Sequence, residues 1–249
     1  RQRQMCIRDR SCCHRHILMQ NRGRILRYSL LLLLLGFVGY TRNNHAAGEF
    51  YATRIYPHLS DMLSHLARFS SFSLEEMVVC VSVLLLLRCL IGLRKRNWKK
   101  QLGLCVEILL WIAAWFYWGW GINYFRYSFY ERMDLQPVAY EDSVFQQFLN
   151  EYTAALNNSY IPFADSTATA SWETEIRQIY HTAPPEAALC RPQEHFTPKR
   201  LAFNTLYSKV SVLGFMGPFF CEMQVNEELL PTQYPFTYAH ELAHLLGVS

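Results

Sequence analysis

The stretch Leu93-Arg94-Lys95-Arg96-Asn97-Trp98-Lys99-Lys100-Gln101-Leu102 sets five Lys or Arg residues between two long apolar runs. On its amino side lie residues 74–93, with Val78-Val79-Cys80-Val81 and Val83-Leu84-Leu85-Leu86-Leu87. On its carboxyl side lie residues 102–122, carrying Trp111, Trp115, Trp118 and Trp120. Each run matches the roughly 20 residues that cross a bilayer core of about 30 Å. Short loops rich in Lys and Arg stay on the cytoplasmic side, and tryptophans gather where a span meets the headgroups. The two runs therefore predict a helical hairpin with a cytoplasmic turn, and everything after Asn123 is expected outside the cytoplasm.

Outward from that hairpin, a third apolar run occupies residues 25–40, with six consecutive leucines at 30–35. It is at the short limit for a span. A basic start and His45-Ala46-Ala47 after it also suit a secretory signal. Read as an uncleaved span, it gives three transmembrane helices with a cytoplasmic N-terminus. Eight arginines fall within residues 1–27, beside this run. Residues 1–18 have no apolar periodicity, Gln4-Met5-Cys6-Ile7-Arg8-Asp9-Arg10 looks like translated adapter, and Met19 reads as a start. Residues 1–24 are therefore expected to be a non-native or disordered basic leader.

Composition agrees with this layout. Hydrophobic residues make up 51% of the 249 and charged residues 18%, below the roughly 25% of soluble domains. The net charge of +4 comes from basic clusters flanking apolar runs, so no nucleic-acid partner is expected and the lipid bilayer is. Arg88 and Glu107 lie within the spans, each about five residues from the basic link. Snorkelling, or pairing with each other across the hairpin, accounts for both without a transport pathway.

Residues 124–249 have the composition of a globular α+β domain. Phe145, Phe148, Leu149, Tyr152 and Leu156 recur at helical spacing over 141–157, a stripe read as core. Ser171 is placed as the N-cap of a second helix through Trp172, Ile176, Ile179 and Tyr180. Thr197-Pro198 predicts a helix opening there and running to about Lys209, with Gly214 and Gly217-Pro218 as breaks. Residues 219–225 are expected to be a strand. Cys190 and Cys221 are either a disulfide or two buried thiols. No CxxC pair and no glycine-rich phosphate loop is present.

The chemistry-bearing motif is His240-Glu241-Leu242-Ala243-His244. On a helix, positions i and i+4 share a face, so both histidines can offer nitrogens to one Zn²⁺. Glu241 is rotated about 100° from His240, placed to serve as general base rather than ligand. Zinc lowers the pKa of a bound water from 15.7 towards about 7, and Glu241 can take its proton and pass it to a departing amine. The neighbours Tyr238, Ala239, Leu242, Ala243, Leu245 and Leu246 are uncharged, as a zinc helix packed inside a domain requires. Pro235 suits the first turn, and Gly247 marks a bend or an end. Catalytic zinc usually has three protein ligands. By chemistry alone Glu222, Glu227, Glu228, His181 and His195 are eligible for the third, although each reads more simply as an ordinary polar residue.

With Ile55-Tyr56-Pro57, Phe72-Ser73-Leu74, Gly119-Trp120-Gly121-Ile122-Asn123-Tyr124, residues 217–226 and the block from Pro235 to His244, the chain resembles a family of bacterial membrane proteins of uncharacterised activity. That family is found mainly in Bacteroidetes and is grouped with the zincin-type metallopeptidases. The resemblance implies zinc as cofactor, His240 and His244 as ligands, and Glu241 as catalytic base. It also implies a third, acidic ligand on a following helix, as in gluzincins, expected beyond Ser249 in a zincin-like domain that the sequence truncates. By analogy with zincins, the strand around 219–225 would lie along an extended peptide substrate. The expected function is a membrane-anchored zinc metallopeptidase acting on a protein or peptide near the membrane. The rival is a non-catalytic membrane protein whose extracytoplasmic domain binds a partner.

Overall fold

A computed structural model describes residues 2–94, 97–136, 138–160 and 169–248. The chain is mainly helical. In order it forms α1 (Gln2–Arg42), α2 (His45–Phe50), a π turn (Tyr51–Ile55), α3 (Tyr56–Ala67), α4 (Leu74–Gly92) and α5 (Trp98–Gly119). A 3-10 turn (Gly121–Phe125), α6 (Phe129–Arg132), α7 (Asp142–Asn158), α8 (Thr169–His181) and α9 (Asn204–Lys209) follow, then β1 (Gly214–Gly217), β2 (Glu222–Val225) and α10 (Tyr234–Leu245).

Two helical segments are long and apolar enough to cross a membrane, residues 22–42 of α1 and the whole of α5. α4 runs antiparallel beside α5 and is as apolar through its middle, but Glu75, Glu76 and Arg88 punctuate its ends. Many apolar side chains of all three helices face outward: Leu32 and Leu33 are more than 70% exposed, Leu84 and Ile91 about 65% and Leu109 50%. Leucine faces this bare need an apolar solvent or a partner to cover them. α1 packs along α5, and near the far end Trp118 donates from Nε1 to the Leu34 carbonyl at 3.2 Å. Of the two alternatives the sequence offered for these charges, snorkelling or mutual pairing, the pairing of Glu107 with Arg88 does not form. Glu107 pairs instead with Arg27 of α1 (3.4 Å) and accepts the Tyr28 hydroxyl (3.2 Å), because α1 packs on α5 and brings its own cation closer.

The tightly packed core sits at the far end of α5. Tyr51, Tyr56, Ile122, Cys221, Met223, Tyr238, Leu242, Leu245 and Leu246 are all sealed from solvent there. The π turn, α3, the 3-10 turn, the β1–β2 hairpin and α10 converge on them. The hairpin is antiparallel, with Gly214 opposite Val225 and Gly217 opposite Glu222. Its tip reaches α5, where Trp115 Nε1 donates to the Phe219 carbonyl at 2.8 Å.

Carboxylates tie α4 to this core. Glu222 of β2 accepts the backbone N–H of Leu74 and Glu75 (3.3 and 3.1 Å) and the Ser73 hydroxyl (3.1 Å). Glu75 in turn accepts the N–H of Phe219 at 3.0 Å, and Glu76 those of Ala202 and Phe203 at 2.7 and 3.1 Å. Three carboxyl groups thus gather at the start of α4, and of them Glu222 takes the unpaired N–H groups of its first turn.

Several local expectations change. The strand near 219–225 is shorter, because Phe219–Cys221 turn the hairpin, and β1 pairs it where glycines read as breaks. No helix starts at Thr197-Pro198. Lys199 bridges to Gln224 and Arg200 to Phe72, so backbone pairing holds this stretch extended and α9 forms only from Asn204. α8 begins two residues before Ser171. Cys190 and Cys221 are both buried free thiols. The aromatic stripe of α7 is not core: Phe145, Phe148, Tyr152 and Leu156 are all exposed. Periodicity marks an apolar face but not what covers it.

Candidate metal-binding helix

α10 begins with Pro235 in its first turn, as the sequence reading placed it. Its inward face is Thr237, Tyr238, Glu241, Leu242 and Leu245, spaced by one and then three positions, the period of a helix lying on a sheet. It rests on both strands of the hairpin and against α8, where the Tyr180 hydroxyl donates to the Ala239 carbonyl at 2.9 Å. The two histidines lie on the adjoining face. Their Nε2 atoms are 3.1 Å apart and their rings cross at 88°.

That separation fits two ligands of one small cation. Two Zn–N bonds of about 2.0–2.1 Å at a tetrahedral angle place their nitrogens about 3.3 Å apart. The protonation pattern fits as well. His244 Nδ1 lies 2.9 Å from the Val248 carbonyl, which can only accept. Nδ1 therefore carries the proton, and the lone pair is left on Nε2, facing His240. Metal-bound histidines are held in this way by a carbonyl or carboxylate behind the ring.

The carbonyl is positioned by how the helix ends. Gly247 has φ of 94°, a conformation that side-chain-bearing residues seldom adopt. Its N–H donates to His244 (3.0 Å) and the N–H of Val248 to Ala243 (3.0 Å), a Schellman turn that folds Val248 back over the last turn. The terminal carbonyls, normally left without partners, are taken by distant donors. His244 accepts from Trp120 Nε1 (2.8 Å), Leu245 from the Tyr56 hydroxyl (2.9 Å), Leu246 from the Cys190 N–H (2.9 Å) and Gly247 from Arg126 (3.0 Å). Trp120, directly after α5, also sets its ring edge-on to His244 at 5.8 Å. The histidine pair is thereby seated at the end of the third apolar helix.

Glu241 is only 5% exposed, and burial pushes its carboxyl up to about 7. Among the described residues no hydrogen bond reaches its carboxylate. It packs on Gly214 of β1, where an added Cβ would lie 2.9 Å from Glu241 Cγ and from Thr237 Cγ2.

None of the five eligible third ligands joins the pair, and no group of three His, Cys, Asp or Glu suited to a metal occurs among the described residues. Glu222 is committed to the start of α4, Glu227 pairs with Arg200 (3.4 Å), and His195 meets Asp61 (3.3 Å) and Ser64 (3.1 Å). Burial lowers the His195 pKa, against the pull of Asp61. Glu228 and His181 are exposed. The sequence did not single out the Val248 carbonyl, Trp120 or Gly214. Only the first had a local signal, since glycine just after a helix predicts that the following residue folds back.

Apolar helices joined to a compact core, with an HExxH helix at the junction, describe a mainly helical protein with two candidate membrane spans and a candidate metal site. Residues 51–249 match the family described as protein of unknown function (DUF3810), and the chain belongs to that family. No curated protein and no solved structure matches it.

Proposed function

We propose that the chain is a membrane-anchored zinc metallopeptidase of the HExxH type, belonging to the zincin superfamily and cleaving proteins or peptides close to the membrane surface. The observation that carries this reading is the pair of Nε2 atoms 3.1 Å apart, with His244 held by the Val248 carbonyl in the tautomer a ligand needs. His240 and His244 would hold the metal, which when bound supplies Lewis acidity for amide hydrolysis. Glu241 is the base: its carboxylate takes the proton of the attacking water and returns it to the departing amine. A carboxyl raised by burial suits a group that must both take and give a proton near neutrality.

α1, α4 and α5 are taken as three spans of a bacterial inner membrane, with the basic link cytoplasmic and the core outside. Trp120 then sets the histidine pair at the outer interface, which favours substrates tethered to or lying on the bilayer. The third ligand would be an acidic side chain outside the described residues. A second reading, a non-catalytic partner-binding domain, is favoured by the lack of a third metal-ligating group beside the pair among the described residues.

The test is zinc content and casein cleavage for the product of the whole gene, its Glu241→Gln variant and a His240→Ala/His244→Ala variant. The expected result is about one zinc in the first two, little in the third, and activity lowered by about 10²–10⁴-fold in Glu241→Gln. Zinc-loaded Glu241→Gln cleaving at the parental rate would remove the mechanism, and absence of zinc from all three would leave the partner-binding reading.

A further inference from the structure

A cleft of about 860 Å³ runs between α1, α4 and α5. Its walls are apolar, including Leu34, Val81, Leu85, Ile108 and Trp111, and Phe219 and Phe220 of the hairpin tip line its far end. At the opposite end it shares Arg27, Leu104 and Glu107 with a second pocket of about 440 Å³, lined also by Arg24, Tyr28 and Lys100. The two adjoin at those three residues, a polar head against an apolar trough, and are taken together as one depression. Among the described residues the head holds three cations and one carboxylate, and Glu107 is engaged by Arg27 and Tyr28. This leaves the head a surplus of two positive charges.

We infer that this depression is a binding site for an anionic phospholipid, with its phosphate among Arg24, Arg27 and Lys100 and its acyl chains along the trough. The inference rests on the membrane reading but not on zinc or on peptidase activity. Under the positive-inside rule the polar head lies at the cytoplasmic face, and basic pockets between spans on that side take anionic headgroups. Along α5 the trough extends from Leu104 to Trp118, about 21 Å at 1.5 Å per residue. That exceeds the depth of one leaflet, about half of a 30 Å core, so chains of ordinary length fit once the phosphate is seated. A transmembrane helix is a poorer match, since an apolar helix would leave the surplus positive charges of the head without a partner, whereas a phosphate pairs with them.

The experiment uses the full chain in mixed micelles containing equal amounts of phosphatidylglycerol and phosphatidylcholine, and reads the lipids retained by native mass spectrometry. The expected result is retained phosphatidylglycerol in excess. Its excess should fall roughly fivefold for each of Arg24→Ala, Arg27→Ala and Lys100→Ala, from the strength of a juxtamembrane cation on anionic lipid. Lys99→Ala, whose ammonium lies outside the pocket over the Trp98 ring, should leave it unchanged, and Val81→Trp should lower it by filling the trough. Equal retention of both lipids, or an equal loss from Lys99→Ala, would overturn the site. Carbonate extraction of the membranes separates the two readings. A chain released into the soluble fraction refutes the membrane reading itself, whereas a chain that stays and shows no lipid preference refutes only the site.

Discussion

Gly214 leaves open the space that Glu241 and Thr237 fill from α10. An added Cβ would lie 2.9 Å from each of them and 2.8 Å from the Gln224 carbonyl. Gly214→Ala should therefore cost about 1–3 kcal/mol by overpacking, read as a lowered thermal midpoint. Because the displaced atom belongs to the proposed base, cleavage by the folded fraction should fall as well. Unaltered activity per folded molecule would show that Glu241 keeps its place or is not needed. The sequence disclosed part of this site: two histidines four apart share a helix face by geometry alone. It could not disclose what shelters Glu241, because Gly214 sits 27 positions earlier and reads locally as a break.

At the scale of the element, α10 was foreseen from Pro235 through to Gly247 because both of its ends carry local chemistry. Gly247→Ala tests the closing turn. Its Cβ would meet nothing nearer than 3.5 Å, so the penalty is conformational, about 1–2 kcal/mol for a left-handed alanine. As the turn loosens, the Val248 carbonyl should leave His244, lowering zinc affinity by about 10–100-fold, the usual effect of losing a partner behind a metal ligand. Titration of the zinc-loaded whole gene product with a chelator reads this, and unchanged affinity would mean that the carbonyl has no part in holding the metal. Elements decided by distant pairing were illegible. The stretch before α9 is extended because Phe72 and Gln224 lie alongside, 128 and 25 positions from the Arg200 and Lys199 they bridge. β1 was hidden for a different reason: its partner β2 follows within a few residues, but the glycines at both of its ends read locally as breaks.

Across the whole molecule, α4 is fastened to the hairpin by Glu222, which meets two backbone N–H groups and a hydroxyl in a buried setting. Burial holds the Glu222 carboxyl above the usual range, against the lowering effect of those hydrogen bonds and of Lys199. Glu222→Ala strands the donors and should cost about 1–3 kcal/mol. The expected readout is earlier proteolytic nicking between α3 and α4, and resistance equal to the parent would show that the attachment lies elsewhere. The mainly helical class and the apolar helices were readable from run lengths and Lys/Arg placement. The joint between those helices and the core was not, since Glu222 announces itself only as one more charged residue.

The four donors that close the last turn of α10 also fix an order of assembly. Tyr56, Trp120 and Arg126 precede their acceptors by 189, 124 and 121 residues. Contacts this non-local are late events in folding, and all three donors leave the ribosome well before the histidines. Pulsed hydrogen exchange during refolding should find the α10 amides protected after those of α4 and α5, and the reverse order would refute the sequence. A newborn chain would then carry no finished histidine pair until the helices before it had formed. Under the proposed function, that delay would keep the peptidase harmless until its anchor had reached the membrane.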